Sequence, residues 1–434
     1  MNTRSLAWLA AVVLLAPSTA LAAGADPSLP LLGFLVVILL AAKLAGHLAI
    51  RLGQPSVLGE LVAGVVLGNL ALLGVPGLDR LATDPSVDML ARLGVLVLLF
   101  EVGLESTVRD MVKVGLSSLL VALLGVAVPM ALGWGVGAWL LPDHSTYVHL
   151  FLGATLTATS VGITARVLKD LDLSTGREAR IILGAAVIDD VLGLVVLAVV
   201  SGIIAAADRG ETMGIGSQAW ILGKAVLFLG GGLAIGSFLS PRVFGLASRL
   251  RGAGILLALA LVFCFLLSLA AGLAGLAPIV GAFAAGLLLE PVHYRELARR
   301  EAHQLEDLLH PLASFLVPVF FVQMGARVDL RTFASIDALW LAGALTIAAV
   351  LGKQACSLGV IDRGVNRLAV GLGMIPRGEV GLIFASIGLG LHVAGEPIVD
   401  ATTYSAVVIM VIVTTMVTPP LIGWGFRRGG RAGS

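Results

Sequence analysis

The chain has 434 residues, of which 58% are hydrophobic and 13% charged, against about 25% charged in an ordinary soluble domain. That balance excludes a soluble globular domain, and the formal net charge of +1 carries no information on partners, since the distribution of charge matters here rather than its sum. Apolar stretches of roughly 20 residues recur along the chain, the length a helix needs to cross a hydrocarbon layer about 30 Å thick, so the fold class is an all-α polytopic membrane protein.

The first 23 residues stand apart. Arg4 precedes an apolar run from Leu6 to Ala16, followed by Pro17 and the small-residue stretch Ala20-Leu21-Ala22. This is the layout of a secretory signal peptide, with a short extra membrane helix as the alternative. Thirteen spans follow, at 30–50, 56–74, 88–105, 114–141, 147–168, 178–204, 218–240, 254–272, 276–291, 310–328, 336–360, 366–391 and 401–426, and residues 427–434 form a short tail. Cys264 and Cys356 lie in apolar segments and read as free buried thiols. No connection is long enough to fold alone.

Lysines and arginines flanking the spans set the orientation. With the N-terminus outside, the inner connections hold 18 of them and the outer connections four. The expected topology is therefore N-terminus out and C-terminus in. Glu60, Glu101, Glu105 and Glu290 then fall near inner helix ends, where solvation or pairing with arginine and lysine is expected.

Short segments repeat. VLGELVAGVVLG (57–68) aligns with IVGAFAAGLLLE (279–290), and LFEVGLE (99–105) with FVQMGAR (321–327), both at an offset of 222 residues. SVGITA (160–165) meets EVGLIF (379–384) at 219. Helices 2, 3 and 5 thus correspond to helices 9, 10 and 12. A shift of seven helices, an odd number, turns the second copy over. Six helices (30–204), a connecting helix (218–240) and six inverted helices (254–426) are expected, and inverted repeats are a mark of secondary transporters.

Two corresponding helices carry breakers. Helix 12 contains Ile375-Pro376-Arg377-Gly378-Glu379-Val380-Gly381, and helix 5 contains Thr157-Ala158-Thr159-Ser160-Val161-Gly162. Proline removes a backbone donor, and interrupted backbone at membrane depth is tolerated where it is buried in protein or lines a cavity. Two broken helices crossing near the midplane would leave opposed dipole ends, which Arg377 and Glu379 can neutralise.

The run AAVIDDVLGLVVLA (185–198) places Asp189 and Asp190 in the middle of helix 6. A central aspartate costs about 2.5–3.5 kcal/mol on an insertion scale. Adjacent residues point about 100° apart, so one carboxylate can face a cavity while the other meets a neighbouring helix. Lys353, deep in helix 11, is the best partner. Intramembrane ionisable residues are functional by default, although an aspartate–lysine pair can also be structural. A carboxylate in such a place holds either a proton or a small hard cation such as sodium. Occupation by one excludes the other, which yields exchange if the empty ionised site cannot change sides. Asp190, Thr159, Ser160 and nearby carbonyls form the expected coordination shell, with Asp190 as the transient sodium ligand and Lys353 titrating together with the pair. No cofactor and no resident metal are expected, and no nucleic-acid partner.

AAVIDDVLGL, TATSVGITARVL, Lys353 and MIPRGEVGLIF resemble the monovalent cation:proton antiporter superfamily, most of all the bacterial sodium/proton antiporters of its second cation:proton antiporter family. The resemblance runs from about residue 30 to 426. It implies a thirteen-helix inverted-repeat fold, a homodimer and an elevator movement of a core formed by helices 4–6 and 11–13 against a dimer scaffold. It also implies that Asp190 binds the ion, that Asp189 pairs with Lys353, that Thr159 lies beside the site and that exchange is electrogenic. Related potassium-efflux members usually have glutamine at the first aspartate and a C-terminal nucleotide-binding domain; this chain has Asp189 and ends at Ser434. Potassium/proton exchange stays open as the alternative. A sodium-coupled organic anion symporter and an intramembrane aspartyl protease are weaker ones, since the former needs a larger polar cavity and the latter two facing carboxylates.

Overall fold

The computed structural model describes residues 28–73, 78–105, 115–170, 173, 176–210, 254–289 and 303–429, with isolated positions between 223 and 246 and at 294 and 299. The signal-peptide segment, most of the 218–240 span and the last five residues lie outside the described residues.

The first helices are α1 (Ser28–Arg51), α2 (Ser56–Gly68), α3 (Pro85–Glu105) and α4 (Leu116–Leu140). The fifth expected span divides into α5 (Thr146–Thr155) and α6 (Val161–Asp170), and α7 (Arg177–Asp208) follows. The second half holds α8 (Ile255–Leu273), α9 (Pro278–Leu288), α10 (Leu305–Ala326) and α11 (Ile336–Gln354). The twelfth expected span divides into α12 (Arg367–Gly373) and α13 (Glu379–Leu389), and α14 (Ala401–Gly429) closes the chain. Between α13 and α14 lies a small hairpin, β1 (His392–Val393) paired with β2 (Glu396–Pro397). Its turn places Ala394 and Gly395 at φ +53° and +85°, a conformation that glycine adopts freely. An all-helical reading missed it.

Local chemistry sets the helix ends. The side chains of Ser335 and Asn366 accept the backbone N–H groups of Ala338 and Ala369, capping α11 and α12. A capping box between Gln304 and Asp307 starts α10. α2 stops at Gly68, earlier than the expected 74, because Asn69 takes over its end. The Asn69 amide donates to the carbonyls of Val65 (2.8 Å) and Val328 (2.7 Å), and its oxygen accepts from Leu330 (3.0 Å). One side chain thus ends α2 and ties it to the connection after α10.

The helices pack in two bundles. One contains α1, α2, α3, α8, α9 and α10; the other contains α4, α5, α6, α7, α11, α12, α13 and α14, with lighter contact between the two. Backbone-to-backbone approach holds the first bundle together. A methyl group at Gly64 would collide with the backbone of Val322 and Gly325 on α10, and one at Gly286 with that of Phe100 and Gly103 on α3. Small residues permit this approach, which drives helix association in lipid. The six residues form three pairs, Gly64/Gly286, Phe100/Val322 and Gly103/Gly325, each at the 222-residue offset read in the sequence.

Among the described residues, seven helices are long and apolar enough to cross a membrane: α1, α4, α7, α8, α10, α11 and α14. Large apolar side chains point outward from them, with Leu273 82%, Trp139 75% and Trp340 66% exposed. In lipid this outward apolar surface is the satisfied one. Tryptophans at helix ends suit the interfacial layer, and Arg428 stacks on Trp424 near the end of α14. Of the two expectations for Glu60, pairing rather than solvation holds: it is buried, because α2 is covered by α1 at Gly59 and by α10 at Gly64. Lys43 of α1 supplies the opposing charge.

Candidate functional site

The long α7 carries Asp189 and Asp190 into the interior of the second bundle, where both are buried. Asp189 meets Lys353 of α11. The ammonium group donates to both carboxylate oxygens, at 2.9 and 3.1 Å, with neither side chain exposed. Two desolvated charges are tolerated in this way only when they neutralise each other. The wall of this pocket includes a residue the sequence reading passed over. A methyl group on Gly125 of α4 would sit 3.2 Å from the Lys353 nitrogen, 3.3 Å from the Asp189 carboxylate and 3.0 Å from the sulfur of Cys356. A side chain there would make the lysine head and its neighbours give way by a few tenths of an ångström. Nothing distinguished Gly125 from other glycines in apolar helices. Cys356, read as a free buried thiol, is buried and free.

Asp190 lies a third of a turn away from this pair. Three residues further along the helix, a methyl group on Gly193 would sit 4.0 Å from the Thr157 hydroxyl, so the interruption between α5 and α6 runs beside α7 within about a turn of Asp190. The Thr157 hydroxyl donates to the carbonyl of Ala154 at 2.7 Å. Thr159 is buried, and its hydroxyl has no hydrogen-bond partner among the described residues. Ser160 is also buried, and its backbone N–H donates to the carbonyl of Pro376 at 2.9 Å.

That last bond marks the crossing of the two interruptions. Thr164 of α6 donates to the carbonyl of Gly373 at 2.7 Å. A methyl group on Gly378 would press on the Ser160 side chain. Arg377, fully buried, donates to the carbonyl of Ala158, with that of Thr157 at 3.5 Å. The guanidinium thus occupies the carbonyl end of α5, where a helix carries partial negative charge. Thr415 of α14 holds the backbone of Arg377 by donating to its carbonyl at 2.6 Å. Glu379 begins α13, but its side chain lies outside the described residues.

The structure therefore brings Asp189, Asp190, Lys353, Thr159, Ser160 and Arg377 into one region of the second bundle. The polar groups of this region are mostly carboxylate, hydroxyl and carbonyl oxygens, the type of hard ligand that suits hard cations. Among the described residues, no group of three His, Cys, Asp or Glu side chains converges as a metal site would require. Gln323 of α10 was missed as well: it is fully buried, and neither end of its amide has a partner among the described residues. The repeat alignment pairs it with Glu101 and could have singled it out.

Two cavities flank the region. One of about 870 Å³ lies between the bundles, lined by Asn69, Asp88 and Arg327 on one side and by Ser386 and Tyr404 on the other. Asp88 is ion-paired with both Arg92 and Arg327. Tyr404 donates across the gap to the carbonyl of Met324 at 2.8 Å. The other, of about 800 Å³, lies at the starts of α4 and α7.

The family model described as sodium/hydrogen exchanger, transmembrane, matches residues 33–426. The high-affinity Na(+)/H(+) antiporter NhaS3 of Synechocystis is 38% identical over 420 residues, covering 89% of this chain and 87% of the relative. The Na(+)/H(+)-K(+) antiporter GerN of Bacillus cereus is 36% identical, covering 90% and 95%. In fold, the chain is similar to the sodium proton antiporter MjNhaP1 of Methanocaldococcus jannaschii, with a TM-score of 0.67 at 16% identity over 91% of this chain and 96% of that one.

Proposed function

Because the chain belongs to the transmembrane sodium/hydrogen exchanger family, whose members are transporters and not enzymes, we propose that it is a secondary active antiporter exchanging protons for a monovalent cation, sodium first and lithium beside it. It is a multi-pass membrane protein; the bacterial inner membrane, with N-terminus outside and C-terminus cytoplasmic, is the setting we propose.

One observation carries the reading: an aspartate neutralised by a buried lysine stands next to a second aspartate, at the crossing of two interrupted helices. The first carboxylate is spoken for. On our reading the second, with hydroxyl and carbonyl oxygens of the α5–α6 interruption, holds either H⁺ or the cation. Neutralisation of Asp190 by either occupant lowers the cost of carrying it through an apolar surround, whereas the bare carboxylate resists the move. That asymmetry couples the two fluxes.

The repeat offset and the matching glycine contacts of α2 with α10 and α9 with α3 support an inverted repeat of 30–204 and 254–426 about a connecting helix at 218–240. The two bundles support a division into a scaffold (α1–α3, α8–α10) and a moving core (α4–α7, α11–α14), and the cavity between them supports access at that boundary. On this reading the core moves as an elevator, the scaffold forms a homodimer, and Lys353, titrating with Asp189, makes exchange electrogenic. Arg377 and Glu379 offset the exposed helix ends. Residues 1–23 read as a signal peptide, with a short extra membrane helix as the alternative.

Potassium is the second reading, favoured by the similarity to GerN, whose name includes K(+). A cation panel decides between them. With protein in liposomes holding a preformed proton gradient and a pH-sensitive dye, sodium and lithium should dissipate the gradient at concentrations where potassium does not. Potassium acting as well as sodium would transfer the assignment to potassium exchange. No response to any of the three would remove the antiport reading.

A further inference from the structure

The cavity at the starts of α4 and α7 plays no part in the exchange reading. Its depth is apolar, formed by Ile181, Gly184 and Val187 on successive turns of α7 and by Val365. Its rim is cationic, with Arg177 and Arg180 on α7 and Arg363 on the connection after α11. All three arginines are exposed, and among the described residues no side-chain hydrogen bond, ion pair or ring contact engages them. Several other guanidinium groups are engaged, Arg92 and Arg327 by Asp88, Arg377 by carbonyls, Arg242 and Arg428 by aromatic rings, while Arg51, Arg367 and Arg427 are as open as these three but do not line the cavity.

The frame that holds the three cations apart is already satisfied. Glu178, between the two α7 arginines in sequence, accepts the backbone N–H of Asn366 at 2.9 Å and is turned to the start of α12. Ser117 of α4 accepts the backbone N–H groups of Ile361 and Asp362 at 3.1 and 3.3 Å. Asp362 is the one carboxylate residue among the described lining residues. Beside the cavity, Leu116, Leu358 and Ile361 are 59%, 73% and 51% exposed, so its flank is a surface for hydrocarbon.

We propose that this cavity binds an anionic phospholipid, its phosphate headgroup among Arg177, Arg180 and Arg363 and its glyceride and upper acyl chain in the apolar depth. Basic pockets between membrane helices on the cytoplasmic side suit such headgroups. The apolar depth beneath the cations fits an amphiphile and gives a soluble phosphate nothing further to contact. The occupant bridges α4, which carries Gly125; α7, which carries both aspartates; and the connection from Lys353 to α12. It thereby braces the frame around the buried pair. Binding itself does not depend on the exchange reading, since it is measured without transport.

The test uses the full chain in neutral detergent, with lipid binding followed by native mass spectrometry and by thermal denaturation. Phosphatidylglycerol should bind and raise the midpoint, while phosphatidylcholine should do neither. Glycerol 3-phosphate and inorganic phosphate should not substitute. R177Q/R180Q/R363Q should weaken phosphatidylglycerol binding on the order of a hundredfold, or roughly fivefold for each arginine. R51Q/R427Q, which removes two cations outside the cavity, should leave it unchanged. If the triple variant misfolds, the single variants R180Q and R363Q carry the same expectation. Undiminished binding in the arginine variants, equal binding of phosphatidylcholine, equal loss in R51Q/R427Q, or reproduction by glycerol 3-phosphate would each overturn the proposal.

Discussion

Asp190→Asn is expected to reduce cation-driven proton exchange to the rate of protein-free liposomes. Asparagine keeps the size of the side chain and one oxygen, but it lacks the charge that holds a cation and takes up no proton at physiological pH. The loss should appear in the maximal rate at every cation concentration, not as a shift that more cation can overcome. Stability should move the other way. A central aspartate costs about 2.5–3.5 kcal/mol on an insertion scale, so removing it should leave the thermal midpoint unchanged or higher. A variant that is stable and inactive separates a transport site from a structural one. Exchange at the normal rate in Asp190→Asn would place the site elsewhere.

The second expected effect falls on the buried pair. Lys353→Met leaves Asp189 without a cation in a pocket where neither side chain touches solvent. Removing one partner of such a pair typically costs about 3–5 kcal/mol, far more than removing both. The single variants Lys353→Met and Asp189→Asn should therefore melt several degrees below the parent. The combined Asp189→Asn/Lys353→Met variant, neutral again, should recover most of the loss. This cycle isolates the coupling between the two groups. Exchange distinguishes glue from mechanism. If Lys353 takes part in proton coupling, the restored double variant should exchange with altered dependence on membrane potential. A double variant with the parent's stability and the parent's potential dependence would reduce the pair to a structural role.

Charge inside apolar runs was the most legible feature of the sequence. Asp189, Asp190 and Lys353 could be picked out because lipid-buried charge is costly wherever it occurs, and their pairing followed from the scarcity of other deep cations. The two helix interruptions were legible for a related reason: proline, glycine and clustered hydroxyls advertise backbone that cannot continue as a regular helix. How the interruptions meet was not legible. The bonds from Arg377 to the carbonyl of Ala158 and from Ser160 to that of Pro376 join residues more than 200 positions apart, and local propensity contains nothing of that registration.

Other misses have the same origin. Glu60 reads in sequence as an acid near a helix end, either solvated or paired, and its burial depends on which faces of α2 meet α1 and α10. Gly125 owes its importance to the side chains opposite it. The end of α2 could have been read from Gly68-Asn69, a pair that favours helix termination, but not its tie to Val328. The hairpin at 392–397 is too short to leave a periodic pattern.

The central claim is that a proton and the cation exclude each other at Asp190. The most direct measurement titrates the purified protein with sodium in a weakly buffered detergent solution and records proton release. Release that saturates with sodium, with sodium affinity falling as pH is lowered and with no release from Asp190→Asn, is the predicted result. Sodium binding without proton release, or release undiminished in Asp190→Asn, would contradict it.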